Sequence, residues 1–137
     1  MAGVATRGTL LEFLGSMARS QTIEPVTQEA PIIFEVADPD FERRVRTSFA
    51  RQGFNETMGA TLGRVTAGVV EIQLPFSAGV SQQHGYFHGG VMGAIGDSAC
   101  GYAAMTLTPA GAEVLTREFK VNFLSPGRGE RLSREDV

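Results

Sequence analysis

The chain has 137 residues, of which 42% are hydrophobic and 20% are charged, which suits one folded domain. Its formal net charge of −3 and its sequence pI of about 5.4 argue against nucleic acid as the main partner. No apolar run reaches the ~20 residues that cross a membrane. Cys100 is the only cysteine, which excludes an intrachain disulfide and favours a reducing, cytoplasmic location.

Residues 1–37 are predicted to be an extension that precedes the domain. Within them, residues 21–31 are polar and contain two prolines, which is typical of a linker. Residues 31–36 are a candidate edge strand, and a short amphipathic helix is compatible with the spacing of Leu10, Leu11, Leu14 and Met17. The pattern favours a poorly ordered extension over a functional one, so the domain is expected to span residues 38–137.

A helix is predicted directly after this extension. Asp38 and Pro39 suit its start, because Asp caps free amides and Pro fits the first turn. Gly53 is expected to end it. Its apolar stripe consists of Phe41, Val45 and Phe49. Four arginines lie mostly off that stripe: Arg43, Arg44, Arg46 and Arg51. They favour a solvated basic face, and the alternative is a patch that attracts the phosphates of a nucleotide-tailed ligand.

Residues 59–76 are predicted to form a β-hairpin. A turn is expected at residues 66–68, and the apolar residues after it alternate with Glu71 and Gln73, which is the period of a strand with one buried face. These apolar residues are Val70, Ile72, Leu74 and Phe76. Pro75 is expected to end the strand or to place it at an edge.

A second β segment is predicted after the chain break at residues 109–111. Its apolar residues alternate with polar ones, and Arg117 is the one charged residue on the apolar side. The apolar residues are Leu115, Phe119, Val121 and Phe123. Residues 125–127 are expected to end the segment, and residues 128–137 show neither β alternation nor a helical stripe.

The stretch from Ser81 to Leu107 carries the candidate chemistry. It starts polar and becomes a Gly- and Ala-rich apolar helix that opens on Gly89 and Gly90. The first turn of a helix has free N–H groups and the positive end of the helix dipole, and glycine lets a ligand carbonyl approach closely. This geometry suits an oxyanion hole. A glycine pair that only turns the chain tightly explains the pattern equally well.

Asp97 is the only acid in that helix. A carboxylate in a groove of small side chains can act as a general base for water or as a nucleophile. The small residues at helical spacing around it are Gly90, Gly93, Ala94, Cys100, Gly101 and Ala104. The alternative is an exposed acid or a structural ion pair. Function or a specific partner is favoured, because burying an unpaired acid among apolar residues is costly.

Other interpretations of this stretch have less support. His84 and His88 are four residues apart, but Gly85 argues against a helix there and no third ligand is close in sequence, so a zinc site is not expected. The glycines do not form a dinucleotide-binding pattern. Ser98 lacks the context of an α/β-hydrolase nucleophile, and Cys100 is interpreted as a small core residue.

Order and motifs together resemble a known family, the hotdog-fold acyl-CoA thioesterases, and specifically its PaaI-like group. The resemblance covers roughly residues 41–129. Its most specific part is the stretch from Gln82 to Gly90 (QQHGYFHGG), with Asp97 following nine positions after the second His. The segment from Thr116 to Pro126 (TREFKVNFLSP) also fits.

The resemblance implies an α+β hotdog fold, in which a curved antiparallel β-sheet wraps a long central helix. It also implies a homodimer or homotetramer with active sites at the dimer interface. The implied substrate is an acyl-CoA with an aryl or medium-chain acyl group, and no metal or redox cofactor is expected. Neither nucleic acid nor a membrane is an expected partner.

Roles for individual residues follow from the same resemblance. The amide of Gly89 or Gly90 would polarise the thioester carbonyl, and Asp97 would activate water or attack the carbonyl itself. Three further residues are expected to assist: Gln82 by orienting water or substrate, His88 by positioning the loop, and Thr116 by assisting hydrolysis.

The C-terminus departs from the family pattern, which continues with further strands after the Ser-Pro-Gly turn. The domain is therefore expected to be C-terminally incomplete and of low stability as an isolated chain, because the central helix needs a broad sheet to cover it. Two alternatives to an active thioesterase stay open, namely a non-catalytic acyl-CoA-binding module and an inactive fragment.

Overall fold

The computed structural model describes residues 33–136 of the chain. Most of the predicted extension, and with it the proposed helix near Leu10, lies outside these residues. Residues 33–36, the described part of the candidate edge strand, form no strand. None of the helices between residues 33 and 136 is long and apolar enough to cross a membrane.

Two short helices open the described part. Helix α1 spans Phe41–Ala50 and helix α2 spans Gly53–Met58. The main-chain carbonyl of Asp38 accepts from the amide of Phe41 at 3.2 Å, which starts the chain turning. The prediction that Gly53 ends the first helix is wrong, because Gly53 begins α2. The left-handed glycine that ends a helix is Gly59, with φ of 75°.

The arginines of α1 pair locally with carboxylates. Arg43 lies 2.6 Å from Asp40 and Arg46 lies 2.8 Å from Glu42, with all four side chains largely exposed. Such pairs contribute little to stability, but they neutralise the charge that a phosphate patch would need. They favour the solvated face over the phosphate patch.

Arg44 behaves differently, because it is half-buried and ties α1 to the end of the long helix. That helix, α3, spans Gly89–Leu107. The Arg44 guanidinium donates to the carbonyls of Met105 at 2.8 Å and Thr108 at 2.6 Å, and its Nε lies 3.2 Å from Asp38. It thereby satisfies carbonyls that a helix end leaves without partners.

The predicted hairpin is confirmed. Strand β1 (Thr61–Thr66) pairs antiparallel with strand β2 (Val69–Pro75), with a bulge between Leu62 and Val65. Gly68, at φ of 74°, supplies the left-handed residue of the connecting turn. The alternating apolar residues of β2 point into the core, where Val70, Ile72 and Leu74 have no exposed surface.

A third strand, β3, spans Arg131–Asp136 and pairs antiparallel with the other edge of β2, with Leu132 opposite Leu74. The order of the sheet is β1-β2-β3. Residues 128–137 have no β alternation, so no strand was expected there, and that expectation is wrong. A polar strand can join an edge through main-chain hydrogen bonds alone, without an apolar alternation of its own.

The prediction of a second β segment after the long helix is also wrong, because that stretch forms no strand. Residues 113–124, here called the apolar segment, are not assigned to any strand. Leu115 and Leu124 are 90% and 97% exposed. Alternation predicts an apolar face, but a strand also needs a neighbouring edge with which to exchange main-chain hydrogen bonds. Among the described residues, the segment pairs with no such edge.

Helix α3 packs across the sheet and completes an α+β arrangement of one long helix on an antiparallel sheet. Ile95, Ala99 and Ala103 are buried on the side that packs on the sheet, and Tyr102 is buried against Phe49 of α1. The other side of the helix carries its glycines and Asp97. The sheet therefore fixes which side of α3 presents the candidate site.

Candidate active site

The start of α3 is organised by His88. Its Nδ1 accepts the N–H of Gly90 at 3.0 Å, and its carbonyl accepts from Val91 at 3.0 Å and Met92 at 3.2 Å. Because Nδ1 is an acceptor, the proton of the neutral ring is on Nε2. Of the four amides in this first turn, only that of Gly89 has no acceptor among the described residues.

The two glycines therefore have different positions and different uses. A Cβ on Gly90 would lie 3.1 Å from His88 Nδ1, so the missing side chain makes room for the capping ring. A Cβ on Gly89 would lie 3.4 Å from the ring of Phe123, which is an ordinary contact. Within the described part of the chain, the N–H of Gly89 is left without an acceptor at the positive end of the helix dipole, whereas the N–H of Gly90 donates to the capping His88 ring.

Asp97 and Thr116 meet although they are far apart in sequence. The hydroxyl of Thr116 donates to Asp97 Oδ1 at 2.6 Å. The aspartate is half-buried on α3, and the threonine is exposed on the apolar segment. A charge-assisted bond of this length fixes one carboxylate oxygen and the plane of the carboxylate.

A cavity of about 570 Å³ opens beside this pair. Small residues of α3 form its floor: Gly93, Gly96, Cys100, Gly101 and Ala104. Residues 114–125 form one wall, and Leu132 and Ser133 contribute on the side of β3. The predicted groove of small side chains around Asp97 is present, although Gly90 and Ala94 do not line it. A narrow apolar group fits a space of this size and lining.

Gln82 is held within its own loop. Its amide donates to the carbonyl of Tyr86 at 2.9 Å, its carbonyl accepts from Gly85 at 3.0 Å, and its side-chain oxygen accepts from the amide of His84. It does not line the cavity at Asp97. Within one chain, Gln82 therefore belongs to the loop that leads into α3.

The candidate residues thus form two clusters on one helix. The helix-opening cluster contains Gln82, His88, Gly89 and Gly90, and the mid-helix cluster contains Asp97 and Thr116. Asp97 follows Gly89 by eight positions, which is about 12 Å along a helix axis. One carbonyl group cannot contact the Gly89 amide and the Asp97 carboxylate of the same chain.

Sequence reasoning did not assign Phe119 and Phe123 to the site. The ring of Phe119 lies 3.8 Å from the place where a Cβ on Gly93 would stand, and Phe123 lies against Gly89 in the same way. The alternation of the apolar segment predicts both rings on one face. Gly89 and Gly93 of α3 are also four residues apart, and this equal spacing could have indicated that the two rings lie against the two glycines.

Among residues 33–136, no group of three or more His, Cys, Asp or Glu side chains is arranged to hold a metal ion.

Burial raises the pKa of Tyr102, which packs against Phe49 with 5.7 Å between ring centroids. Both residues belong to the packing of α3 rather than to either cluster.

Comparison with known proteins gives consistent matches. The family described as the thioesterase superfamily matches residues 84–133. A solved thioesterase family protein from Silicibacter pomeroyi is 46% identical, with 69% of this chain and 70% of that chain covered and a TM-score of 0.68. No curated protein matches the sequence.

Two more distant structures share the fold. The E. coli PaaI protein from the phenylacetic acid degradation operon is 17% identical, with 72% of this chain and 70% of that chain covered and a TM-score of 0.63. A thioesterase from Haemophilus influenzae is 19% identical, with 64% and 62% covered and a TM-score of 0.59. The hotdog arrangement expected from the sequence is confirmed.

Proposed function

The chain belongs to the thioesterase superfamily, whose members hydrolyse thioester bonds, and we propose that its substrates are acyl-CoA thioesters with aryl or medium-chain acyl groups. The observation that carries this proposal is the Asp97 carboxylate, held by Thr116 at 2.6 Å beside an apolar cavity of about 570 Å³. Water is the second reactant of the proposed hydrolysis.

In the proposed reaction, Asp97 supplies the attack. As a general base it accepts a proton from water while the water oxygen bonds to the thioester carbon. As a nucleophile it bonds to that carbon itself, and water then cleaves the anhydride. In both cases the C–S bond breaks, and the products are the free acid and the CoA thiol. Thr116 is proposed to fix the carboxylate so that its reactive oxygen faces the cavity.

Gly89 is proposed to stabilise the charge that develops on the carbonyl oxygen. Its N–H has no acceptor among the described residues and lies at the positive end of α3. His88 and Gly90 hold this turn in place through the Nδ1 cap. Gln82 is proposed to orient water or the substrate from the preceding loop.

The separation of the two clusters supports a site built from two copies of the chain. If Gly89 and Asp97 of one chain are about 12 Å apart, the amide of one copy and the carboxylate of the other must meet at the carbonyl. We therefore propose a homodimer, alone or paired into a homotetramer, with each active site at the dimer interface. The catalytic domain is proposed to be residues 38–137, located in the cytoplasm and preceded by an extension.

Thiol release from phenylacetyl-CoA and octanoyl-CoA tests the role of Asp97. Asp97→Asn keeps the shape but cannot accept a proton, so kcat should fall about 1,000-fold. Thr116→Val should lower kcat about tenfold through loss of the hydrogen bond to Asp97. Thr116→Ser keeps the hydroxyl and should keep the parent kcat. Asp40→Asn removes an exposed carboxylate directly before α1 and serves as the matched control. Equal rates for the parent protein and Asp97→Asn would refute the assignment.

The two-copy site has its own test in the same assay. Gly89→Pro removes the N–H at a helix position that tolerates proline, and Gly89→Ala, which also adds a Cβ but retains the N–H, is the control. Refolding Gly89→Pro and Asp97→Asn together should restore about one quarter of the parent activity. About half of the dimers are then heterodimers, and each heterodimer contains one intact site of two. No restoration in a mixture shown to contain heterodimers would place both groups in one chain.

A further inference from the structure

The turn at residues 125–129 is fixed against the loop that opens α3. The amide of Phe87 donates to the carbonyl of Gly127 at 3.0 Å. A Cβ on Gly127 would lie 2.6 Å from Met92 Sδ and 3.2 Å from Phe87 Cβ, so a larger residue here would require the Met92 side chain to move. The residue that follows, Arg128, is therefore held beside the helix-opening cluster.

Arg128 is oriented by an aromatic ring rather than by an acid. Its guanidinium carbon lies 4.8 Å from the centroid of the Tyr86 ring, and its Nη2 donates to the Tyr86 hydroxyl at 3.1 Å. No carboxylate among the described side chains forms an ion pair with it, in contrast to Arg43 and Arg46. The ring fixes the guanidinium without neutralising its charge.

We propose that Arg128, supported by Tyr86, binds a phosphate of the nucleotide tail of the substrate. An arginine retains several N–H donors beyond the one used on Tyr86, in a planar fork that suits phosphate oxygens. Tyr86 precedes Gly89 by three residues, so the two Cα atoms lie within about 11 Å. The exposed guanidinium thus stands beside the entrance to the proposed carbonyl site.

The inference rests on the proposed function, since it takes CoA thioesters as the substrates. In a CoA thioester the phosphates are at the far end of the pantetheine arm from the carbonyl. The Arg128 guanidinium, which is fixed and not neutralised by an acid among the described residues, would hold the phosphates near the entrance while the thioester carbonyl lies deeper in the site. A purely structural role for Arg128 would instead be to fasten the turn onto Tyr86.

Calorimetric titration separates these roles. The two probes are CoA itself and pantetheine, which lacks the nucleotide and all phosphates. The parent protein should bind CoA about tenfold more tightly than pantetheine through the charge-assisted contact, and Arg128→Gln should remove most of that preference while leaving pantetheine binding unchanged. Arg43→Gln removes an equal charge from α1 and should preserve the preference.

Three results would overturn the inference. The parent protein binding both probes equally would exclude a phosphate subsite. An undiminished preference for CoA in Arg128→Gln would place the phosphates elsewhere. An equal loss for both probes in that variant would show a structural role. Thiol release by the same samples tests hydrolysis separately, so Arg128-dependent CoA binding without turnover would refute the proposed function and support this inference.

Discussion

The two stretches that follow the central helix have opposite sequence patterns and opposite structures. The apolar segment alternates as a strand should, yet it has no strand partner among the described residues. Strand β3 shows no alternation, yet it pairs with β2 over six residues, from Arg131 opposite Pro75 to Asp136 opposite Val70. Apolar alternation alone therefore does not decide which stretch becomes a strand, because a strand also needs main-chain pairing.

The consequence is visible in the exposure of the apolar segment. Leu115, Phe119, Phe123 and Leu124 are all more than half exposed. Two of these rings still contact the glycine face of α3, and Thr116 reaches Asp97. The segment thus serves the site through side-chain contacts, whereas β3 serves the fold through its backbone.

The largest expected effect contrasts two leucines from these two environments. Leu74 is fully buried opposite β3, and Leu124 is 97% exposed on the apolar segment. Leu74→Ala should lower the free energy of unfolding by about 3 kcal/mol through lost burial and a residual cavity. Leu124→Ala should change it by less than about 0.5 kcal/mol. Urea denaturation measures both.

A comparable loss of unfolding free energy in both leucine variants would contradict the contrast between β3 and the apolar segment, because it would mean that the apolar segment is packed in solution. Repeating the denaturation across a range of protein concentrations identifies the cause. A loss at Leu124 that grows with protein concentration would indicate packing against a second copy.

Much of the fold followed from the sequence, and the exceptions have physical reasons. The glycine pair predicted the start of α3, and the β2 alternation predicted the hairpin, because in both the local pattern and the tertiary environment agree. Strand β3 was missed because its ladder depends on the exposed edge of β2, which no local pattern encodes.

The candidate site was predictable to a similar depth. Helical spacing placed Asp97 among small residues, but its contact with Thr116 depends on how the apolar segment crosses the helix. The sequence could not separate Gly89 from Gly90, because the difference arises from the direction of the His88 ring. Arg128 was not singled out, since its position depends on a turn that packs against a distant loop.

A smaller effect is expected at Arg44, which joins the ordered helix end to the chain that leads into the apolar segment. Beyond α3 it donates to the carbonyl of Pro109 at 2.8 Å. Arg44→Lys keeps the charge but loses the planar fork, so the free energy of unfolding should fall by about 1–2 kcal/mol. Amide hydrogen exchange should increase first at residues 109–116, before it increases in β2.

The exposed pair on the same helix provides the control for Arg44. Arg46→Lys should change the free energy of unfolding by only a few tenths of a kcal/mol, as is usual for an exposed ion pair. Similar melting temperatures for the two lysine variants would show that the carbonyl contacts of Arg44 do not hold the helix end in place.

The smallest expected effect concerns the polar side chains that accompany the β2–β3 pairing. Hydrogen bonds from Gln73 and Ser133, each at 2.8 Å, lower the pKa of the Glu71 carboxyl from its ordinary value of 4.5. A carboxyl whose pKa is lower in the folded state stabilises the fold above the unfolded pKa and loses that contribution as the pH falls through the folded pKa.

The stability of the parent protein should therefore decrease as the pH falls below about 4.5, in part through Glu71. Ser133→Ala removes the donor on β3 and should make this decrease shallower, whereas Ser77→Ala, outside the sheet, should leave it unchanged. Urea midpoints between pH 6 and pH 3 measure the slope. Identical slopes for the parent and Ser133→Ala would mean that the hydrogen bond between Ser133 and Glu71 does not help to hold β3 on β2, which would sharpen the contrast with the apolar segment, where a side-chain hydrogen bond reaches Asp97.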